Sequence, residues 1–170
     1  YVIPADILAN VRHLAPMVDD VELVLFEVDD QNNLPTQTEI DELIWLAEEH
    51  DLTYTVHLPL DLELADADDR SASIAKACQV IHTTRPLCPW AYVVHLGGRT
   101  IQGYPAPAAL ALWQDRASIS LESIGRETGE TEKLVIENLE NYDPMSLSPL
   151  LDRLPISLCA DVGHLLKNSQ

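Results

Sequence analysis

The sequence predicts an α/β fold of parallel strands covered by helices, a (β/α)8 TIM barrel of which the chain holds an incomplete part. Three observations predict it. Short apolar runs alternate with longer amphipathic stretches along the whole chain. The runs recur on a cycle of about 25–40 residues, the spacing that a strand and a crossover helix require. Each run closes on a histidine or a carboxylate, and parallel barrels gather such side chains at the C-terminal ends of their strands.

The elements follow in order. Residues 21–27 (VELVLFE), 53–58 (TYTVHL), 91–96 (AYVVHL), 133–137 (KLVIE) and 156–161 (ISLCAD) read as strands, and Tyr1, Val2 and Ile3 as the end of another. Between them Ile7, Leu8, Val11, Leu14 and Val18 fall at helical spacing, as do Ile40, Leu43, Ile44 and Leu46 with Ala47, then Ile74, Ala77, Cys78 and Ile81. Thr36 and Thr38 precede acidic residues as N-caps, and His50 stands where a helix ends. The longest irregular loop is GYPAP at 103–107. No glycine-rich phosphate loop follows any strand, which disfavours the nucleotide-binding open sheets. A full barrel needs about 250 residues. The 170 residues, read as one partial-barrel domain over 1–170, therefore hold about six of its units. His164 to Gln170 reads as the start of a helix, so a fragment of a longer chain is expected. Its open sheet edge calls for missing sequence or a partner chain, such as a second copy in a homo-oligomer.

Charge narrows the partners. Lys and Arg number 10 against 28 Asp and Glu, a formal net charge of −18, whereas nucleic-acid binders need clustered cations. Nucleic acid is excluded as the expected ligand in favour of a small molecule. The acidic groups Asp19-Asp20, Asp29-Asp30 and Asp66/Asp68/Asp69 read as solvated surface. No run approaches the roughly 20 apolar residues that span a bilayer, and no signal-peptide layout opens the chain, so a soluble cytoplasmic protein without a membrane partner is expected. Cys78, Cys88 and Cys159 are an odd count without metal-finger spacing and read as buried thiols.

The candidate chemistry sits where polar residues interrupt the strands. Glu27, His57, His95, Glu137 and Asp161 each close a run, and Asp161-Val162-Gly163-His164 turns a second imidazole toward the same corner. Imidazoles and carboxylates converging at one mouth form a nitrogen and oxygen donor set for divalent metal ions, zinc first and manganese second. Asp61 and Asn138 lie beside strand ends as supporting groups or substrate contacts, and Gly97-Gly98 leaves backbone N–H groups for an anion or makes a plain turn. His13, His50 and His82 fall in helices away from the mouth, and Trp45, Trp90 and Trp113 read as packing residues.

The series VHLPL (56–60), VVHLGG (93–98), VIENLEN (135–141) and CADVGH (159–164) resembles the xylose-isomerase-like barrels of the AP-endonuclease-2, or endonuclease IV-like, superfamily. That resemblance implies a metal centre held by His57, His95, Glu137, Asp161 and His164, with further ligands from strands beyond Gln170. The opening residues 1–27 and the segment YTVHLPLDLEL (54–64) are similar to the cobamide-remodelling branch. The implied activity is a metal-dependent phosphodiesterase that hydrolyses the phosphoribosyl linkage in the cobamide nucleotide loop. Glu137 would serve as bridging catalytic carboxylate, Glu27 would orient water or substrate, and Asp61, Gly97 and Asn138 would contact substrate. Two alternatives remain. A sugar or sugar-phosphate isomerase or epimerase would hold one metal on Glu137 and Asp161 and use His57, His95 and His164 on substrate. A non-catalytic barrel would bind a small molecule without turning it over.

Overall fold

The computed structural model describes residues 2–4, 6–28, 31–140 and 142–168. In chain order these form α1 (Ile7–Leu14), β1 (Asp20–Val24), β2 (Glu27–Val28), β3 (Gln31–Asn32), α2 (Gln37–His50), β4 (Thr53–His57), α3 (Ser71–Thr84), β5 (Tyr92–His95), α4 (Pro107–Thr128), β6 (Leu134–Glu137), α5 (Ser148–Arg153), β7 (Ser157–Cys159) and α6 (Val162–Asn168). Strands β1, β4, β5, β6 and β7 make one five-stranded parallel sheet in that spatial order. Each new strand is added beside the last, without the reversal of order that marks a doubly wound sheet. The architecture is that of a partial TIM barrel, as the sequence predicts.

Side-chain alternation gives the sheet two unlike faces. Leu23, Val56, Tyr92, Val94 and Ile136 face the helices and are no more than 3% exposed, and the registers Leu23↔Val56, Val56↔Tyr92 and Val94↔Ile136 put them side by side. Leu43 of α2, Ile81 of α3, and Trp113 and Leu121 of α4 complete this core. The opposite, concave face carries Glu22, Thr55, His57, Val93, His95, Glu137 and Cys159, as the same registers require. Helix α2 is started by a capping box in which Glu39 accepts the Thr36 N–H at 2.7 Å and Thr36 accepts the Glu39 N–H at 3.4 Å, an arrangement worth about 1 kcal/mol.

Several expectations need correction. The first strand stops at Val24, because Asn33 donates its amide to the Val24 carbonyl at 2.9 Å and accepts the Phe26 N–H at 2.7 Å, taking both groups out of the ladder. Glu27 consequently lies in a separate antiparallel pair opposite Asn32, and not at a barrel-strand end; its side chain lies outside the described residues, as do Asp29, Asp30 and Tyr1. Val2 and Ile3 form no strand, since Asn10 accepts both of their N–H groups at 2.8 and 2.9 Å. The last strand stops at Cys159, leaving Asp161 two residues beyond it. Helix α4 is the longest among the described residues and lies outside the three periodic stretches read from sequence. Its buried stripe includes Gln114, Ser118, Ser120 and Gly125, which blur the apolar period. Trp113 is buried as expected, but Trp45 and Trp90 are 55% and 72% exposed. Trp45 falls between the buried Leu43 and Leu46, about 200° around the helix from Leu43. Cys88 is also exposed, at a left-handed position (φ 49°) closing the 3-10 turn Arg85–Leu87.

Helix α4 meets the 3-10 turn Thr131–Lys133 at Gly125, where an added Cβ would stand 2.1 Å from Thr131 Oγ1 and 2.9 Å from its Cβ. Alanine gains about 1 kcal/mol of helix propensity over glycine, but overpacking costs about 1–3 kcal/mol and acts through a rigid, β-branched neighbour. Gly125→Ala is therefore expected to lower the midpoint of denaturant unfolding, with Thr131→Ala recovering part of the loss. An unchanged midpoint in the single variant contradicts the close contact.

Candidate metal centre

Three neighbouring strands deliver the centre. His57 ends β4, His95 ends β5 and Glu137 ends β6, with His95 and Glu137 in direct register. Strand alternation turns all three toward the concave face, and His57 and Glu137 are 6% and 8% exposed. His57 donates its Nδ1–H to the Leu58 carbonyl at 2.7 Å, which leaves its Nε2 turned toward the site. That Nε2 is 3.2 Å from His95 Nε2 and 3.4 Å from Glu137 Oε2, while His95 Nε2 is 3.0 Å from the same oxygen. The two imidazoles meet edge to face at 87°, with centroids 4.6 Å apart.

The second oxygen of Glu137 faces elsewhere. Its Oε1 lies 3.5 Å from His164 Nε2, which is also 3.7 Å from Asp161 Oδ2. Asp161 Oδ1 accepts the His164 N–H at 2.9 Å and so caps the start of α6. Asn138, 1% exposed, grips the Asp161 backbone twice, donating to its carbonyl at 3.0 Å and accepting its N–H at 2.8 Å. His164 donates its Nδ1–H to Glu140, whose other oxygen is 3.5 Å from Lys167 Nζ. The donors of His57, His95 and Glu137, and those of Glu137, Asp161 and His164, form two groups, each with all its donor atoms within 4.8 Å of one another.

These donors fit a divalent cation. Tetrahedral nitrogen and oxygen ligands about 2.0–2.1 Å from zinc stand roughly 3.3 Å apart, and the first group spans 3.0 to 3.4 Å. Protonation states agree with ligation. Burial, reinforced by His57, lowers the His95 pKa against the pull of Glu137 and favours the neutral ring. The His164 N–H lowers the Asp161 pKa and keeps that group a carboxylate. The Glu140 pKa is lowered by its own backbone N–H and then by Lys167 and His164.

The remaining expected residues lie around this centre or away from it. Asp61 pairs with Lys76 at 2.8 Å and, with His95 and Gly97, lines a cavity of about 620 Å³. The Gly97 carbonyl accepts Trp113 Nε1–H at 3.4 Å. His13, His50 and His82 are exposed on helices. Two carboxylates were not singled out from the sequence. Glu140 follows Glu137 by three residues inside VIENLEN. Glu22 is legible from the alternation of VELVL, whose apolar positions 21 and 23 send residue 22 to the concave face; withdrawal from water raises its pKa, with His57 the largest opposing charge.

Neither protein-family models nor curated proteins match the sequence. Solved structures match its fold. A D-tagatose 3-epimerase-like protein aligns at TM-score 0.67 and 20% identity over 86% of this chain and 57% of its own. D-psicose 3-epimerase in the presence of D-fructose aligns at 0.71 and 14% over 96% and 60%. A protein from Thermus thermophilus, soaked with ZnCl2, aligns at 0.69 and 18% over 92% and 64%. The chain thus spans about 57% to 64% of the length of these solved structures. Among the described residues no helix is long and apolar enough to cross a membrane.

The lowered His95 pKa fixes the sign of a pH effect. In EDTA-treated protein the unfolded chain takes up a proton below the ordinary value of 6.5 that the folded chain refuses. Its contribution to stability is present above that value, shrinks as pH falls through it, and levels off beneath the folded pKa. Unfolding midpoints measured from about pH 7.5 to about 5.5 should fall more steeply for the parent than for His95→Gln. Parallel curves would show that the ring is not held neutral.

Proposed function

We propose that residues 1–170 form a partial barrel domain carrying the metal-holding face of an enzyme that transforms a sugar-bearing small molecule. The reaction best supported by the geometry is phosphodiester hydrolysis. The observation that carries it is Glu137, whose Oε2 faces His57 and His95 while Oε1 faces His164. Such a carboxylate suits two cations, held by His57 and His95 on one side and by Asp161 and His164 on the other. Zinc suits the donor set and spacing first, manganese second. Divalent cations there would supply positive charge for phosphoryl oxygens and lower the pKa of water. The protein's own groups do the rest. Asn138 fixes Asp161, Glu140 holds the His164 ring, and Asp61 and Gly97 border the cavity that receives substrate. Glu22, on the concave face, is better placed to orient water or substrate than Glu27 on its separate hairpin. The substrate suggested by the resemblance of residues 1–27 and 54–64 is the cobamide nucleotide loop, giving a cobinamide phosphate and the lower-ligand nucleoside.

A second reading is favoured by the solved structures, several of which are sugar epimerases. They support it more directly than they support cobamide chemistry. In it Glu137 and Asp161 hold one cation while His57, His95 and His164 face a sugar or sugar phosphate. Fold alone does not choose between them.

Metal stoichiometry and product analysis do. The zinc- or manganese-loaded protein should hold two ions per chain and cleave a cobamide to the products above, identified by mass. Glu137→Ala should abolish cleavage and remove at least one ion while leaving the circular-dichroism spectrum intact. One ion per chain with interconversion of D-tagatose or D-psicose epimers, and no phosphodiester cleavage, would establish the epimerase instead. Retention of cobamide without turnover would point to a binding barrel.

A further inference from the structure

The cavity of about 620 Å³ beside the metal centre lies between the loop after β4 and the loop after β5, with His95 and Arg99 both in its wall. Its size falls within the range of about 300–1,000 Å³ typical of small-ligand sites. Arg99 is exposed, yet among the described residues it makes no ion pair and no hydrogen bond. The side chains of Arg85 and Arg126 likewise make no ion pair and no hydrogen bond among the described residues, and neither lines this cavity. The other nearby cations are engaged: Lys76 with Asp61, and Arg116 with Asp68. Glu63 and Asp66 share the wall with Arg99, but neither comes within ion-pair distance of it.

The backbone that carries Arg99 is pinned on both sides. Thr100 donates its N–H to Asp66 Oδ2 at 3.1 Å, and the Gly97 carbonyl is held by Trp113. Gly98 sits at φ +131°, where an added Cβ would stand 2.6 Å from the Asp66 carboxylate, so only glycine allows this approach. Asp66 Oδ1 is buried without a hydrogen-bond partner. A guanidinium is thus presented from a fixed loop, four residues after a candidate metal ligand, in a chain of net charge −18 that repels anions at long range. An anionic substrate needs a local cation to enter such a site, and the planar fork of arginine matches phosphoryl oxygens two at a time.

We infer that Arg99 forms an oxyanion subsite that holds a phosphoryl group of the substrate beside His95. This rests on the reading of the cluster as the reaction centre, and the test separates the two. EDTA-treated protein is titrated with ribose 5-phosphate, a monoester, and with dimethyl phosphate, a diester, alongside Arg99→Met and Arg99→Lys; zinc binding is measured separately for all three. Arg99→Met should weaken phosphate binding at least about tenfold, and Arg99→Lys less. Zinc stoichiometry and unfolding midpoint should not change. Preference for the diester assigns the subsite to a hydrolase, and preference for the monoester assigns it to a sugar-phosphate enzyme; either supports it. Equal phosphate binding by the parent and Arg99→Met, or none by the parent, overturns the subsite with the metal centre untouched. Failure of the parent to bind zinc overturns the metal reading, and the metal-free titration still reports on Arg99.

Discussion

A carboxylate buried among imidazoles is the constraint around which the rest is arranged. Withdrawing Glu137 from water is costly unless positive charge or hydrogen-bond donors replace the solvent. Only imidazole nitrogens of His57, His95 and His164 come within ion-pair distance of it among the described residues. Neutral rings offer lone pairs as readily as protons, and burial favours the neutral form of His95. A divalent cation would satisfy the carboxylate and the lone pairs at once.

The sheet makes that convergence rigid. Parallel registers fix the ends of β4, β5 and β6 relative to one another, so the three side chains need no long loop to meet. Tyr54, Tyr92 and Trp113 behind the sheet are at most 2% exposed and leave the strands little room to shift. Where the donors leave the sheet, polar contacts take over. Asn138 ties β6 to the turn before α6, and Glu140 restrains the ring of His164. Such outer contacts orient ligands and tune their basicity.

Legibility in the sequence differed from residue to residue. His57, His95 and Glu137 stand at the ends of short apolar runs, alternating before His57 and continuous before His95 and Glu137, and the structure brings them together. Asp161 and His164 join the same cluster, although Asp161 sits past its strand and doubles as a helix cap. Glu27 reads as a strand end because the apolar run LVLF (23–26) leads up to it, while Asn33, seven residues from Phe26 and nine from Val24, takes their backbone groups. Glu22 is placed on the concave face by the alternation of Val21 and Leu23, but nothing local distinguishes it from an ordinary solvent-facing polar residue of a strand. Helix α4 was hidden by buried serines, among them Ser120, whose hydroxyl donates to the Leu64 carbonyl at 2.7 Å and accepts from Arg70 at 3.0 Å. Those partners are more than forty residues away, beyond any local pattern.

By itself the sequence determined the alternation of strand and helix, the parallel class of the sheet, and that His57, His95 and Glu137 terminate strands. These depend on periodicity and end signals that act over a few residues. Only the tertiary structure decided that the two oxygens of Glu137 face different imidazoles, that Glu140 restrains His164, and that Arg99 shares a cavity wall with His95. Each of those facts depends on strand register, side-chain rotamer and loop path, which long-range packing sets and no short stretch of sequence encodes.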